Sequence, residues 1–305
     1  MKKLRIFTQL LKRSAIAFDD DNAFKLSASL SYYTIFALGP LLFFVISLSG
    51  FFYGKEASEG RIYEQFKDLI GNDAALQIQD ILTNASEGYD STTGAIIGAV
   101  MLFIGATGVF TEIQSSINFI WSVKSKPRRG WLKFILNRLL SFSLVLGLGF
   151  LLLVSLIINA LLTLVNKKIL EKFPNNEYFN LLNSLILLAV ITALFAVIYK
   201  VLPDARIAWR DAWIGSAFTA MLFLVGKFLI GFYLGQSNIG VVYGTAASII
   251  LILVWVYYSS MILYFGAEFT KMYALHSGEG IKPKQTAVFI IKKEAKEVPP
   301  SYLDT

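Results

Sequence analysis

From Phe228 to Ala267 the chain runs forty residues without a charged side chain, with Lys227 before the stretch and Glu268 after it. A bilayer hydrocarbon core about 30 Å thick is crossed by roughly 20 apolar residues of helix. The stretch is broken near its middle by Gly235-Gln-Ser-Asn-Ile-Gly240. It therefore reads as two membrane-spanning helices joined by a polar, glycine-bearing turn.

The same pattern recurs along the chain. Uncharged runs place spans within Leu26–Gly54, within Ser91–Thr111 and on toward Trp121, within Leu139–Asn166 and within Tyr178–Tyr199. The fifth runs from about Asp211 to Leu234 and the sixth from Thr245 to about Phe269. Only helices and closed barrels satisfy their backbone inside lipid, and runs of this length are helical. The expected fold class is all-α, a polytopic membrane protein with six transmembrane helices. Only 16% of the 305 residues are charged, where a soluble domain carries about a quarter.

Lysine and arginine placement sets the expected orientation. Six cations precede the first span (Lys2, Lys3, Arg5, Lys12, Arg13, Lys25), and six follow the second (Lys124, Lys126, Arg128, Arg129, Lys133, Arg138). Three follow the fourth (Lys200, Arg206, Arg210), and six lie in the tail (Lys271, Lys282, Lys284, Lys292, Lys293, Lys296). The alternate loops hold only Lys55, Arg61, Lys67, Lys167, Lys168 and Lys172. Both termini are thus expected in the cytoplasm. The net charge of +7 reflects this asymmetry, so nucleic acid is not an expected partner.

Three divisions follow. Residues 1–22 form an amphipathic cytoplasmic-face segment, with Leu4, Phe7, Leu11, Ala15 and Phe18 at helical spacing. Asp19-Asp-Asp-Asn22 then offers a helix cap; three consecutive aspartates do not converge on one ion, so no metal is expected. Residues 23–275 form the membrane domain, whose outer loop 53–93 carries two short amphipathic helices. Residues 276–305 are a polar tail expected to be disordered. Gly39-Pro40 predicts a kink in the first span, and Gly94-x-x-x-Gly98 a close helix contact in the second.

Ionisable groups inside spans are expensive, so each needs an account. Lys227 is either a lysine snorkelling to the outer interface or a cation facing a cavity that takes an anionic headgroup. Glu112 flanks a stripe of Thr107, Thr111, Ser115 and Asn118, with Ser116 beside it. Such a stripe serves interhelical hydrogen bonds or a hydrated cavity. Glu268 falls at a depth similar to that of Glu112, too far from Lys227 to pair with it. Gln236, Asn238 and Tyr243 add neutral hydrogen-bonding groups to the outer turn, either as a site with Lys227 or as an ordinary turn with interfacial aromatics. Lys124, Lys126, Arg128 and Arg129 are candidate contacts for anionic lipid headgroups.

Several stretches together resemble the YihY/virulence factor BrkB family of six-span bacterial inner-membrane proteins. They are Leu30-Ser-Tyr-Tyr-Thr-Ile-Phe-Ala-Leu-Gly-Pro40, Asn118-Phe-Ile-Trp121, Tyr199-Lys-Val-Leu-Pro-Asp-Ala-Arg-Ile-Ala-Trp-Arg210, Gly215, Tyr243-Gly-Thr245, Leu253-Val-Trp255 and Gly266-Ala-Glu268. The resemblance spans roughly residues 10–275. It implies a role in resistance to host killing and envelope-lipid transport. Members have also carried a ribonuclease BN label, against which this chain argues. It has no cysteine, a single histidine (His276, beyond the last span) and no carboxylate cluster with ligand spacing.

The expected function is transport or flipping of a lipid or other amphiphile, without enzymatic activity and without a cofactor. No nucleotide-binding loop is present to drive it with ATP. The alternative is a non-transporting scaffold or regulator of envelope assembly. Membrane lipids are the expected partners, and a homo-oligomer is compatible with the sequence.

Overall fold

A computed structural model describes residues 2–37, 91–126, 177–236, 247–277 and 280–291. The expected third span, the outer-loop helices, the Gly39-Pro40 kink, Asn238, Tyr243, Arg128 and Arg129 lie outside these residues.

Six helices are described: α1 (Lys2–Asp20), α2 (23–37), α3 (Ser91–Ile120), α4 (Glu177–Val201), α5 (Trp209–Gln236) and α6 (Ala247–Ser277). Two of them contain segments long and apolar enough to cross a membrane, Trp209–Ile230 in α5 and Ile249–His276 in α6. The helix α5 packs between α4 and α6, while α1 and α3 lie against α6.

Two glycine–threonine pairs bring α5 and α6 together. A Cβ added to Gly215 would overlap Thr270, and one added to Gly266 would overlap Thr219. Each threonine hydroxyl donates to the glycine carbonyl four residues earlier in its own helix, Thr219 to Gly215 at 2.8 Å and Thr270 to Gly266 at 2.6 Å. The hydroxyls are thereby satisfied within their own helices, and the threonine side chains, Oγ1 foremost, fill the space facing each glycine. Small residues at such contacts let helix backbones approach closely in lipid. The helix α4 joins through Tyr199, whose buried hydroxyl donates to Leu263 O at 2.7 Å and lies 3.1 Å from Thr219 Oγ1.

At one end of the bundle, short strands form a clasp. The strand β1 (Val123–Ser125) pairs antiparallel with β4 (Ala287–Phe289), and β2 (Ala205–Arg206) pairs with β3 (Lys282–Pro283). The β1–β4 ladder continues through Lys126 N to Thr286 O and Ile290 N to Ser122 O. Residues 280–291 thus differ from the disorder expected of the whole tail. Thr286-Ala-Val-Phe-Ile-Ile291 is rich in strand formers, and Ile281 and Ala287 bury against the loops after α3 and α4. These pairings gather the loops after α3 and α4 and the tail at one end of the bundle.

The amino-terminal helix also differs in detail. Its buried stripe is Leu10, Ser14 and Phe18, leading into Asp21, whereas Ala15 is exposed and Leu11 half-buried. Ser14 can enter the contact because its hydroxyl donates to Leu10 O at 2.8 Å. Phe7 is 42% exposed yet meets Phe218 and Phe269 edge-on, as Phe18 meets Phe265. This helix therefore rests on α5 and α6. Asn22, in the left-handed region at φ 51°, ends α1, and its carbonyl accepts the first bonds of α2 from Lys25 and Leu26.

Candidate functional site

The seam where α3 meets α6 carries buried polar groups, among them Ser116 and Glu268. Glu268 is fully buried on α6. Its Oε2 lies 3.3 Å from Lys271 Nζ, one turn further along the same helix. Lys271 also donates to Ile120 O at the end of α3, at 2.6 Å, and lies 3.6 Å from Asp21 Oδ2 at the α1–α2 turn. One ammonium thus ties three elements together. The Asp21 and Glu268 carboxylates flank the same ammonium. Beside this cluster, the Trp121 indole donates to Ala267 O at 3.0 Å.

The seam continues one turn along α6 to Tyr264, which faces Ser116 and Glu112 of α3. Ser116 Oγ lies 3.4 Å from Glu112 Oε1. Glu112 and Glu268 therefore lie along one seam, with Tyr264 between them. The polar stripe is rotated from its expected position, however. Thr107, Ser116 and Asn118 are buried and Glu112 is half-buried, while Thr111 and Ser115 are exposed. A stripe drawn at fixed intervals cannot register which edge the neighbouring helix covers.

Asn118 has a different occupation from the one proposed for it. Its Nδ2 donates to Asp204 Oδ2 at 3.1 Å, its Oδ1 accepts from Asp204 N at 2.8 Å, and Gln114 Nε2 adds a contact to the same Oδ2 at 3.3 Å. This two-way bond fixes the loop after α4 to the end of α3 and engages both the amide nitrogen and the carbonyl oxygen of Asn118. Glu268, likewise, does not open into a vestibule.

The clasp holds further cations. Lys284 Nζ donates to Val201 O at 3.2 Å and its amide to Asp204 O. Burial pushes the Lys284 ammonium below the ordinary lysine value, with Lys200 and Arg206 acting in the same direction and Asp204 opposing them. Lys200 donates to Ile207 O and sits 5.2 Å from the Trp209 ring centroid. Lys124 and Lys126 are exposed on and beside β1.

Lys227 lies toward the opposite end of α5 and is exposed between Val225 and Phe228, themselves 59% and 75% exposed. It sits among groups turned outward, as a snorkelling lysine would. Gly226 beside it does admit a close neighbour, since a Cβ there would come within 2.6 Å of Ile262 Cδ1 and 2.9 Å of Tyr258 Cε1 of α6. Gln236 is the last residue of α5, and the rest of the polar turn falls outside the described residues.

Sequence reasoning passed over Asp21 and Lys271 as partners of Glu268. The i,i+3 spacing of Glu268 and Lys271 was a usable signal. Among the described residues, no group of three or more His, Cys, Asp or Glu side chains is arranged to hold a metal ion; Asp19 and Asp20 are exposed while Asp21 is buried.

The chain is similar to a UPF0761 membrane protein of Pseudomonas aeruginosa (strain LESB58), with 33% identity covering 82% of this chain and 59% of that one. It is 32% identical to a protein of the same description from Azotobacter vinelandii, over 81% of this chain and 59% of the relative. A Saccharophagus degradans relative is 29% identical, over 88% and 60%. The chain thus spans about three-fifths of the length of the curated relatives it matches. No solved structure matches it. The family model described as virulence factor BrkB matches residues 15–290, and this membrane protein belongs to the virulence factor BrkB family.

Proposed function

We propose that this protein moves a lipid or other amphiphile between the leaflets of the bacterial inner membrane, with its clasp and both termini in the cytoplasm. The observation that carries this reading is the polar seam of Glu112, Ser116, Tyr264 and Glu268 between α3 and α6. Intramembrane carboxylates are costly to maintain and mark pathways for polar groups more often than packing sites. Glu112, half-buried beside this seam, is the residue we assign to the passing headgroup. Exposed Lys124 and Lys126 at the clasp gather anionic headgroups at about 1 kcal/mol per cation. The protein acts without enzymatic chemistry. Labelled-lipid movement in proteoliposomes, compared between wild type and Glu112→Gln, tests the reading.

A scaffold role is the second reading. It draws support from Val288, Phe289 and Ile291, exposed at 42%, 57% and 78% along the clasp, an apolar edge suited to a partner. Crosslinking from Phe289 and identification of the captured protein would distinguish it.

A further inference from the structure

We propose that Asp21, Glu268 and Lys271 form a proton-binding site that fastens the amino-terminal helix to the bundle. The inference goes beyond the transport reading and does not depend on it.

The argument starts from charge and hydrogen-bond accounting. A lysine ammonium has three protons to donate. Lys271 donates to Ile120 O and Glu268 Oε2 and pairs electrostatically with Asp21 Oδ2 at 3.6 Å, so the ammonium sits between the two carboxylates. Glu268 Oε1 is nevertheless buried without a hydrogen-bond partner, on a side chain with no solvent exposure. Two carboxylates flanking one ammonium repel each other unless one of them holds a proton. Two carboxylates and one ammonium also leave a net negative charge away from water, which is expensive. A single proton resolves all three problems: it neutralises the cluster, supplies the missing hydrogen bond and removes the carboxyl–carboxyl repulsion.

Other ligands fit less well. A metal cation would have to enter beside an ammonium already placed between the oxygens, and the carboxylates exclude an anion. The remaining charged groups around the site do not alter the balance. From α3, Glu112 faces Tyr264, one turn from Glu268. From α2, Lys25 is exposed, and on α1 Asp19 and Asp20 are exposed. From α5, Asp211 is buried at the amino end of the helix and has contacts of its own.

The proton comes from water and returns to it, with no other bond made or broken. When it leaves, Asp21 and Glu268 repel. The element free to move is the α1–α2 turn, because Glu268 and Lys271 belong to one helix. Proton loss therefore loosens α1 from α6.

The test is infrared spectroscopy of the full-length purified protein, titrated from neutral to alkaline pH. Expected is a protonated-carboxyl C=O band at neutral pH that disappears on alkalinisation and is missing from Glu268→Gln. Asp21→Asn provides an independent variant. It leaves one carboxylate for one ammonium, so the neutral-pH band should be lost there too. The chain has no cysteine, so Leu10→Cys, buried under α1, reports the docking. Its maleimide labelling, relative to exposed Ala15→Cys, should rise at least tenfold with alkalinisation and lose that dependence in combination with Glu268→Gln. A neutral-pH spectrum with no band removed by either carboxyl substitution, or a labelling ratio independent of pH, would overturn the proposal.

Discussion

Asn118 and Asp204 hold each other in both directions, the asparagine amide donating to the carboxylate at 3.1 Å and its carbonyl accepting the Asp204 backbone N–H at 2.8 Å. Asp204 O also accepts from the amide of Lys284. One residue thus joins α3, the loop after α4 and the tail. Asn118→Ala should destabilise the protein by about 1–3 kcal/mol, since it strands a charged partner. Asp204→Ala should cost a similar amount. The double variant should cost less than the two single losses together, by roughly 0.5–3 kcal/mol of coupling. Thermal unfolding in detergent followed by tryptophan fluorescence measures this; strictly additive losses would contradict the pairing.

The interlock of α5 and α6 predicts intolerance to small additions. Gly215→Ala and Gly266→Ala each place a methyl group into the facing threonine, and overpacking of this kind costs about 1–3 kcal/mol. Gly108→Ala serves as a comparison, because its Cβ would meet only the Tyr33 ring at 3.3 Å. The first two variants should unfold at distinctly lower temperature than the third.

A pH dependence follows from Lys284. Its ammonium is pushed below the ordinary lysine value in the folded chain, chiefly by burial. In the alkaline window between the folded and unfolded values, the unfolded chain holds more protons than the folded one. Stability contributed at this site therefore rises with pH there and is lowest when Lys284 is fully charged. Lys284→Met should flatten that slope in chemical unfolding curves taken at increasing pH. An unchanged slope would remove Lys284 as its source.

The clasp predicts slow hydrogen exchange in the tail. The amides of Lys284 and Ile290 donate to Asp204 and Ser122, and that of Lys126 to Thr286. Peptides covering 280–291 should exchange well below the rate of the unfolded chain by mass spectrometry. Exchange at the unfolded rate would contradict the strand pairing.

Much of the helical framework was legible because lipid imposes a length and a polarity that composition reveals directly. The helices α5 and α6 follow from the chargeless run between Lys227 and Glu268. Gly215 and Gly266 stood out in the sequence, but their roles depend on Thr270 and Thr219, which no local pattern pairs with them. Asp21 illustrates the same limit. In sequence it is one of three consecutive aspartates, yet only the close of α1 at Asn22 turns it inward to Lys271, 250 positions away. The pairing of 282–283 and 287–289 was not legible in the tail, because these short runs become strands only against β2 and β1.

The most direct measurement of the functional account is movement of a fluorescent phospholipid across proteoliposomes reconstituted with the full-length protein. Wild type should speed the loss of inner-leaflet protection against an added quencher over protein-free vesicles. Glu112→Gln, folded to the same thermal stability, should lower that rate at least tenfold. Movement no faster than in protein-free vesicles, or equal in wild type and Glu112→Gln, would contradict it.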